Sequence, residues 1–219
     1  MTDRPPLDNQ SPSLFGQTPS QTIGPFFHYC LPWKGGADLV GQSELGARPE
    51  LFATEHDFLH RSAPTEAPAG EEIEIVGRVL DGRGDAVPDA LLEIWQADAA
   101  GDYARSEPFP DPHFTGFGRA ATGEDGAYRF RTILPGPVPA PKGGLQAPHI
   151  AVSVFGRGLL TRLVTRIYFA GDPGNETDPI LCLVPEARRD TLIAMPDGEG
   201  RWRFDIVLQG ERETAFFAL

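Results

Sequence analysis

The chain has 219 residues, a hydrophobic content of 40%, and 25 Gly and 22 Pro, which suits one turn-rich β domain or one such domain plus an arm better than a helical protein. A net charge of -12 at pH 7 disfavours binding to nucleic acid or an anionic membrane, so an anionic substrate would need a local cation to offset the field. No run reaches transmembrane length and the start, MTDRPP, has no apolar leader core, which predicts a cytoplasmic protein with Cys30 and Cys182 as free thiols.

Residues 1–70 contain few alternating segments. Pro-rich pieces surround an aromatic cluster, Phe26, Phe27, His28 and Tyr29, and aromatics are scarce in disordered tails. The segment reads as an extended N-terminal arm and linker that packs on its own sandwich or on a partner, with a short helix around 43–60. From Glu72 the pattern changes. Ile73, Ile75, Gly77 and Val79 alternate with Glu72, Glu74, Val76 and Arg78, a period of two with one buried face. Asp81 to Gly84 is a turn, and 90–96 a second strand. Residues 117–122 and 128–133 flank a Gly-Glu-Asp-Gly turn and read as a hairpin. Strands at 149–155, 162–169 and 202–208 bring the total to about seven, and 185–194 reads as the single helix. Short strands with frequent turns predict an all-β sandwich over 71–219.

The chemistry-bearing residues are individually ordinary. Asp98, Asp102, Glu107 and Asp111 lie in a loop with Tyr103 and His113, and a carboxylate-rich loop is usually a solvated surface. Tyr103 alone reads as a packed tyrosine with a bonded hydroxyl. His149 opens an apolar strand, where a histidine is ordinarily a satisfied core residue. Side chains two apart on a strand share a face, so a second histidine at 151 would aim two imidazoles at one metal. That position is Ala151. Arg157 sits between Gly156 and Gly158, a turn that would present its guanidinium. No phosphate-binding glycine loop, Gly-x-Ser-x-Gly elbow or Cys–His nucleophile motif is present. These residues by themselves admit a metal enzyme, a degenerate relative of one, or a non-enzymatic β-sandwich binding module.

Their order is more specific. TPSQTIGP at 18–25, LEIWQAD at 92–98, GDY at 101–103, FGR at 117–119, PGP at 135–137, APH at 147–149, RIYF at 166–169, RFDI at 203–206 and TAFF at 214–217 together resemble the intradiol ring-cleaving dioxygenases. The resemblance runs from about residue 18 to the C-terminus. The 18–25 block, with APHI and FGRG, is closer to the α-type chains of the αβ members.

The resemblance implies a ferric iron held by two tyrosinates and two histidines in catalytic chains, hard anionic oxygens and imidazoles suiting Fe(III). It places Tyr103 and His149 at the first tyrosine and first histidine, Val138 and Ala151 at the second of each, and Gln146 where catalytic chains carry an arginine. Two of the four ligands are thus replaced by groups that cannot coordinate. The expectation is a chain with no catalytic residue and no iron of its own, paired with a catalytic β subunit that holds Fe(III). Thr22, Gly24, Pro25 and Arg157 would line that partner's pocket, where 3,4-dihydroxybenzoate meets O2. A homo-oligomeric catechol dioxygenase is the alternative within the family.

Overall fold

The computed structural model describes residues 24, 36–41, 43, 45–46, 67–103 and 114–218. In chain order the strands are β1 (Glu72–Leu80), β2 (Leu91–Gln96), β3 (Phe117–Ala121), β4 (Ala127–Ile133), β5 (Val138–Pro139), β6 (Leu145–Gln146), β7 (His149–Phe155), β8 (Leu163–Phe169), β9 (Ile193–Pro196), β10 (Arg201–Arg203) and β11 (Ile206–Val207), with one short helix, α1 (Glu186–Arg189). The all-β sandwich is the expected class.

One layer is built around β1, with β4 antiparallel on one edge and β10 and β11 parallel on the other. The second runs β3–β2–β7–β8, continued by β9 parallel to β8. β9 also pairs antiparallel with β10, so this one strand joins the two layers. β5 and β6 form a separate two-stranded ribbon. Period-two patterning points Ile73, Ile75 and Val79 of β1 and Phe130 of β4 at Leu92, Ile94, Ile150, Val152, Val154 and Ile167 of the other layer, all essentially buried. Each such side chain contributes about 1.5–3 kcal/mol by leaving water.

Three sequence expectations are corrected. Residues 117–121 and 127–133 do not form a hairpin. The turn is real, with Gly126 N–H on the Gly123 carbonyl at 2.8 Å and Gly123 N–H on the Ala127 carbonyl at 2.9 Å. Beyond it β3 pairs with β2 and β4 with β1, so the chain changes layer. Turn chemistry reverses a chain but does not choose its partner; here Val79 N–H, donating to the Gly126 carbonyl at 2.9 Å, ties the turn to β1. The helix expected over 185–194 is α-helical only over Glu186–Arg189, tightens to a 3-10 turn over Asp190–Leu192, and ends where Ile193 and Ala194 pair in parallel with β8. Residues 202–208 break into β10 and β11 around Phe204 and Asp205, giving eleven strands among the described residues where about seven were expected.

Part of the expected arm packs on the chain's own sandwich. Ala37, Leu39 and Val40 enter the core, Leu39 N–H donates to the Arg131 carbonyl, and Arg131 N–H donates to the Ala37 carbonyl, both at 2.8 Å. The helix expected around 43–60 lies almost wholly outside the described residues, as do Cys30 and His113. Cys182 is a free, exposed thiol. Among the described residues no helix is long and apolar enough to cross a membrane.

Candidate functional site

Alternation along β7 sends Ile150, Val152 and Val154 inward and His149, Ala151 and Ser153 to the outer face. Cross-strand register completes that face. Ala151 lies between Trp95 of β2 and Arg166 of β8, and His149 lies beside Tyr168 of β8, with ring centroids 5.8 Å apart. Tyr103 reaches this patch from the loop after β2. Its ring stacks on Trp95 at 5.9 Å and 11°. Its hydroxyl lies 3.3 Å from Nε2 of His149.

The loop is built to hold Tyr103 there. Asp98 Oδ1 accepts from Ala100 N–H at 2.9 Å and Asp102 N–H at 3.0 Å, so this carboxylate serves its own turn. Gly136 N–H donates to the Asp98 carbonyl at 2.8 Å, fastening the loop to the Pro-Gly-Pro segment. Gly101 has φ of +89°, and a Cβ there would lie 2.1 Å from the Pro137 carbonyl oxygen, so only glycine fits.

His149 is 3% exposed. Its Nδ1 lies 2.8 Å from the Ala147 carbonyl, which can only accept, so Nδ1 carries the proton. Nε2 is then the acceptor and the Tyr103 hydroxyl the donor. Burial, aided by the nearby Arg166 guanidinium, lowers the imidazole pKa from 6.5 to about 4, and burial raises the Tyr103 phenol above its usual 10. Both side chains are neutral at pH 7.

Around this pair lies a polar network that the sequence did not reveal. Arg166 Nη1 donates to Gln146 Oε1 at 2.8 Å and to the Tyr168 hydroxyl at 3.3 Å. The Tyr168 hydroxyl donates to Asp178 Oδ1 at 3.0 Å, and Ala147 N–H donates to Asp178 Oδ2 at 2.8 Å. Arg166 and Tyr168 could have been placed on this face from strand alternation. Asp178, in an irregular segment, carries no such signal.

Of the remaining expected site residues, Val138 borders this network through Gln146 and Arg157 lies away from it. Val138 is buried in β5, opposite Gln146 of β6. Arg157 follows the far end of β7, so the length of that strand, roughly 20 Å for seven residues, separates it from His149. Its Nε makes an ion pair with Asp89 Oδ2 at 3.0 Å. Gly24 is exposed, with none of the described residues within 4 Å of where a Cβ would sit, and Thr22 and Pro25 lie outside the described residues.

A family model described as Dioxygenase matches residues 49–210. The protocatechuate 3,4-dioxygenase alpha chain of Burkholderia cepacia is 42% identical over 92% of this chain and 96% of its own length. The chain belongs to the intradiol dioxygenase family. The protocatechuate 3,4-dioxygenase beta chain of B. cepacia is also similar, at 39% identity over 81% of this chain and 79% of its own. Among solved structures, the catechol 1,2-dioxygenase of Pseudomonas arvilla C-1 superposes with a TM-score of 0.54 at 24% identity, covering 70% of this chain and 58% of the other, which supports the fold.

Intradiol dioxygenases are oxidoreductases, and the family implies an iron cofactor. The side chains here do not fit one. Of the four expected ligand positions, Val138 and Ala151 offer no donor atom. Tyr103 and His149 each offer one, 3.3 Å apart, so two donors stand where four were expected.

Proposed function

We propose that this chain is the α subunit of a cytoplasmic protocatechuate 3,4-dioxygenase, whose catalytic β subunit holds the Fe(III). The αβ enzyme would break the bond between the two hydroxyl-bearing carbons of 3,4-dihydroxybenzoate and add one atom of O2 to each, giving 3-carboxy-cis,cis-muconate. Near full-length identity to two alpha chains, 42% and 40%, supports the subunit type. The observation that carries the reading is the chemistry of two of the four ligand positions: Val138 and Ala151 have no donor atom. An intradiol iron site of the expected kind needs two phenolate oxygens and two imidazole nitrogens. Here Tyr103 and His149 supply only one of each, 3.3 Å apart.

The chain's contribution then lies in assembly and in the wall of the partner's pocket. Thr22, Gly24 and Pro25 on the arm and Arg157 beyond β7 are the residues assigned to that wall. Gly24 lets backbone approach closely, Pro25 fixes the local φ, and Thr22 offers a hydroxyl. Arg157 supplies the cation that a carboxylated catechol needs beside a protein of charge -12. This division of labour uses two ends of one strand, with the defunct donor pair at the start of β7 and the pocket-facing arginine past its end.

The test is purification of the chain alone and with a co-expressed β chain. Alone it should contain no stoichiometric iron, lack the visible absorption of an iron–tyrosinate centre and leave 3,4-dihydroxybenzoate intact. Together the two chains should co-purify and cleave the ring. One iron per chain with turnover by the isolated chain would instead identify a homo-oligomeric catechol dioxygenase.

A further inference from the structure

Arg157 is backed by a shielded carboxylate. Leu91 of β2 pairs with Phe155 of β7, and continuing that antiparallel register two residues outward sets Asp89 opposite Arg157. The Asp89 side chain is 12% exposed and that of Arg157 is 60% exposed. Asp89 Oδ2 is buried, accepts no aligned hydrogen bond, and has the Arg157 Nε at 3.0 Å as its compensating charge among the described residues. The backbone on either side of Asp89 is pinned by one buried hydroxyl. Thr122 Oγ1 donates to the Val87 carbonyl at 2.8 Å and accepts from Ala90 N–H at 3.0 Å.

An exposed arginine between two glycines would ordinarily sample many rotamers, and ordering it on a ligand would cost binding free energy. A fixed, partly desolvated carboxylate removes much of that freedom beforehand and is screened less than a surface partner. With Nε facing Asp89, the edge made by the two terminal nitrogens remains, and that edge can meet a carboxylate with two parallel hydrogen bonds.

We propose that Asp89 is a positioning residue, holding the Arg157 guanidinium so that its terminal nitrogens meet the carboxylate of the substrate in the neighbouring chain's pocket. This rests on the assignment of Arg157 to that pocket.

The test uses the αβ holoenzyme carrying Asp89→Asn, Arg157→Ala or both in this chain, assayed with 3,4-dihydroxybenzoate and with catechol, the same ring without a carboxylate. For Asp89→Asn the expected result is a KM for 3,4-dihydroxybenzoate raised about fivefold, with kcat and the KM for catechol each within about twofold of the parent. Arg157→Ala should raise the same KM at least as far, and adding Asp89→Asn to it should change nothing more. Should Asp89→Asn fail to assemble, Asp89→Glu keeps the charge but displaces the guanidinium, and should give the same carboxylate-selective rise. A large effect of Arg157→Ala with none from either Asp89 variant would overturn the positioning role while leaving the pocket assignment standing. An equal KM rise for both substrates would also overturn it. Normal binding by Arg157→Ala would remove the pocket assignment and this inference with it.

Discussion

The Tyr103 hydroxyl donates to Nε2 of His149 across 3.3 Å, while Nδ1 of the same ring donates to the Ala147 carbonyl at 2.8 Å. Both ring nitrogens are thus satisfied from within the chain, and a buried imidazole needs both partners. Tyr103→Phe keeps the ring on Trp95 but leaves Nε2 without its donor. The expected loss is about 1–2 kcal/mol in urea unfolding, the cost of one unsatisfied buried acceptor. A variant as stable as the parent would mean that Tyr103 acts only through its stacking.

Acid should weaken the fold through the same histidine. The folded protein holds His149 near pKa 4, against 6.5 for the ordinary side chain. Between those values the unfolded chain binds a proton that the folded chain refuses, so stability falls as pH drops through the window. The full effect is roughly 3 kcal/mol by pH 4, and none of it is felt well above pH 6.5. Carboxylates titrate nearby, so the informative comparison is with His149→Gln, which lacks this proton. Urea midpoints from pH 7 to pH 4.5 should fall more steeply for the parent than for the variant; parallel curves would show that the ring titrates normally.

How far this could be read from the sequence depended on the range of each interaction. The core faces of β1 and β7 were legible because alternation is local: Ile73, Ile75 and Val79, and Ile150, Val152 and Val154, announce themselves within seven to nine residues. The false hairpin arose because residues 123–126 carry turn chemistry whatever strands they join. Ile193 and Ala194 read as the end of a helix because their strand character comes from Tyr168 and Phe169, which offer the pairing edge from elsewhere in the chain. Tyr103 and His149 are 46 positions apart, and only resemblance to a family put them in one site. Asp89 and Arg157 were individually plain; the register of β2 against β7 is what brings them together.

Asp178 is the buried hub behind the site. It is fully buried and accepts from Ala147 N–H, the Tyr168 hydroxyl, Ile180 N–H and Leu181 N–H, at 2.7–3.0 Å. The first two contacts fix the segment leading into His149 and the ring beside it. Asp178→Ala strands these donors together and should cost about 4 kcal/mol or more. Asp178→Asn keeps one acceptor oxygen for the Oδ1 contacts but turns an amide N–H2 toward Ala147 N–H, so it should cost less, about 2 kcal/mol. Denaturant unfolding of both variants checks the order. Asn is nearly isosteric with Asp, so equal losses would mean that the carboxylate's charge or its Oδ2 contact, rather than the number of acceptors lost, sets the cost.

The two layers are also tied by a polar pair in the otherwise apolar core. Thr132 of β4 donates its hydroxyl to Gln96 Oε1 of β2 at 2.7 Å, and Gln96 Nε2 donates to the carbonyls of Ile133 at 2.9 Å and Ala97 at 3.2 Å. Neither side chain is exposed. Thr132→Val preserves shape and orphans one acceptor, so about 1–2 kcal/mol should be lost. Gln96→Leu orphans the hydroxyl and two carbonyl contacts and should lose about 3 kcal/mol. The double variant should be more stable than the sum of the two losses predicts, by about 1 kcal/mol, because the direct bond can be broken only once. Strict additivity in the cycle would show that the two side chains are satisfied independently and that the link between layers is apolar alone.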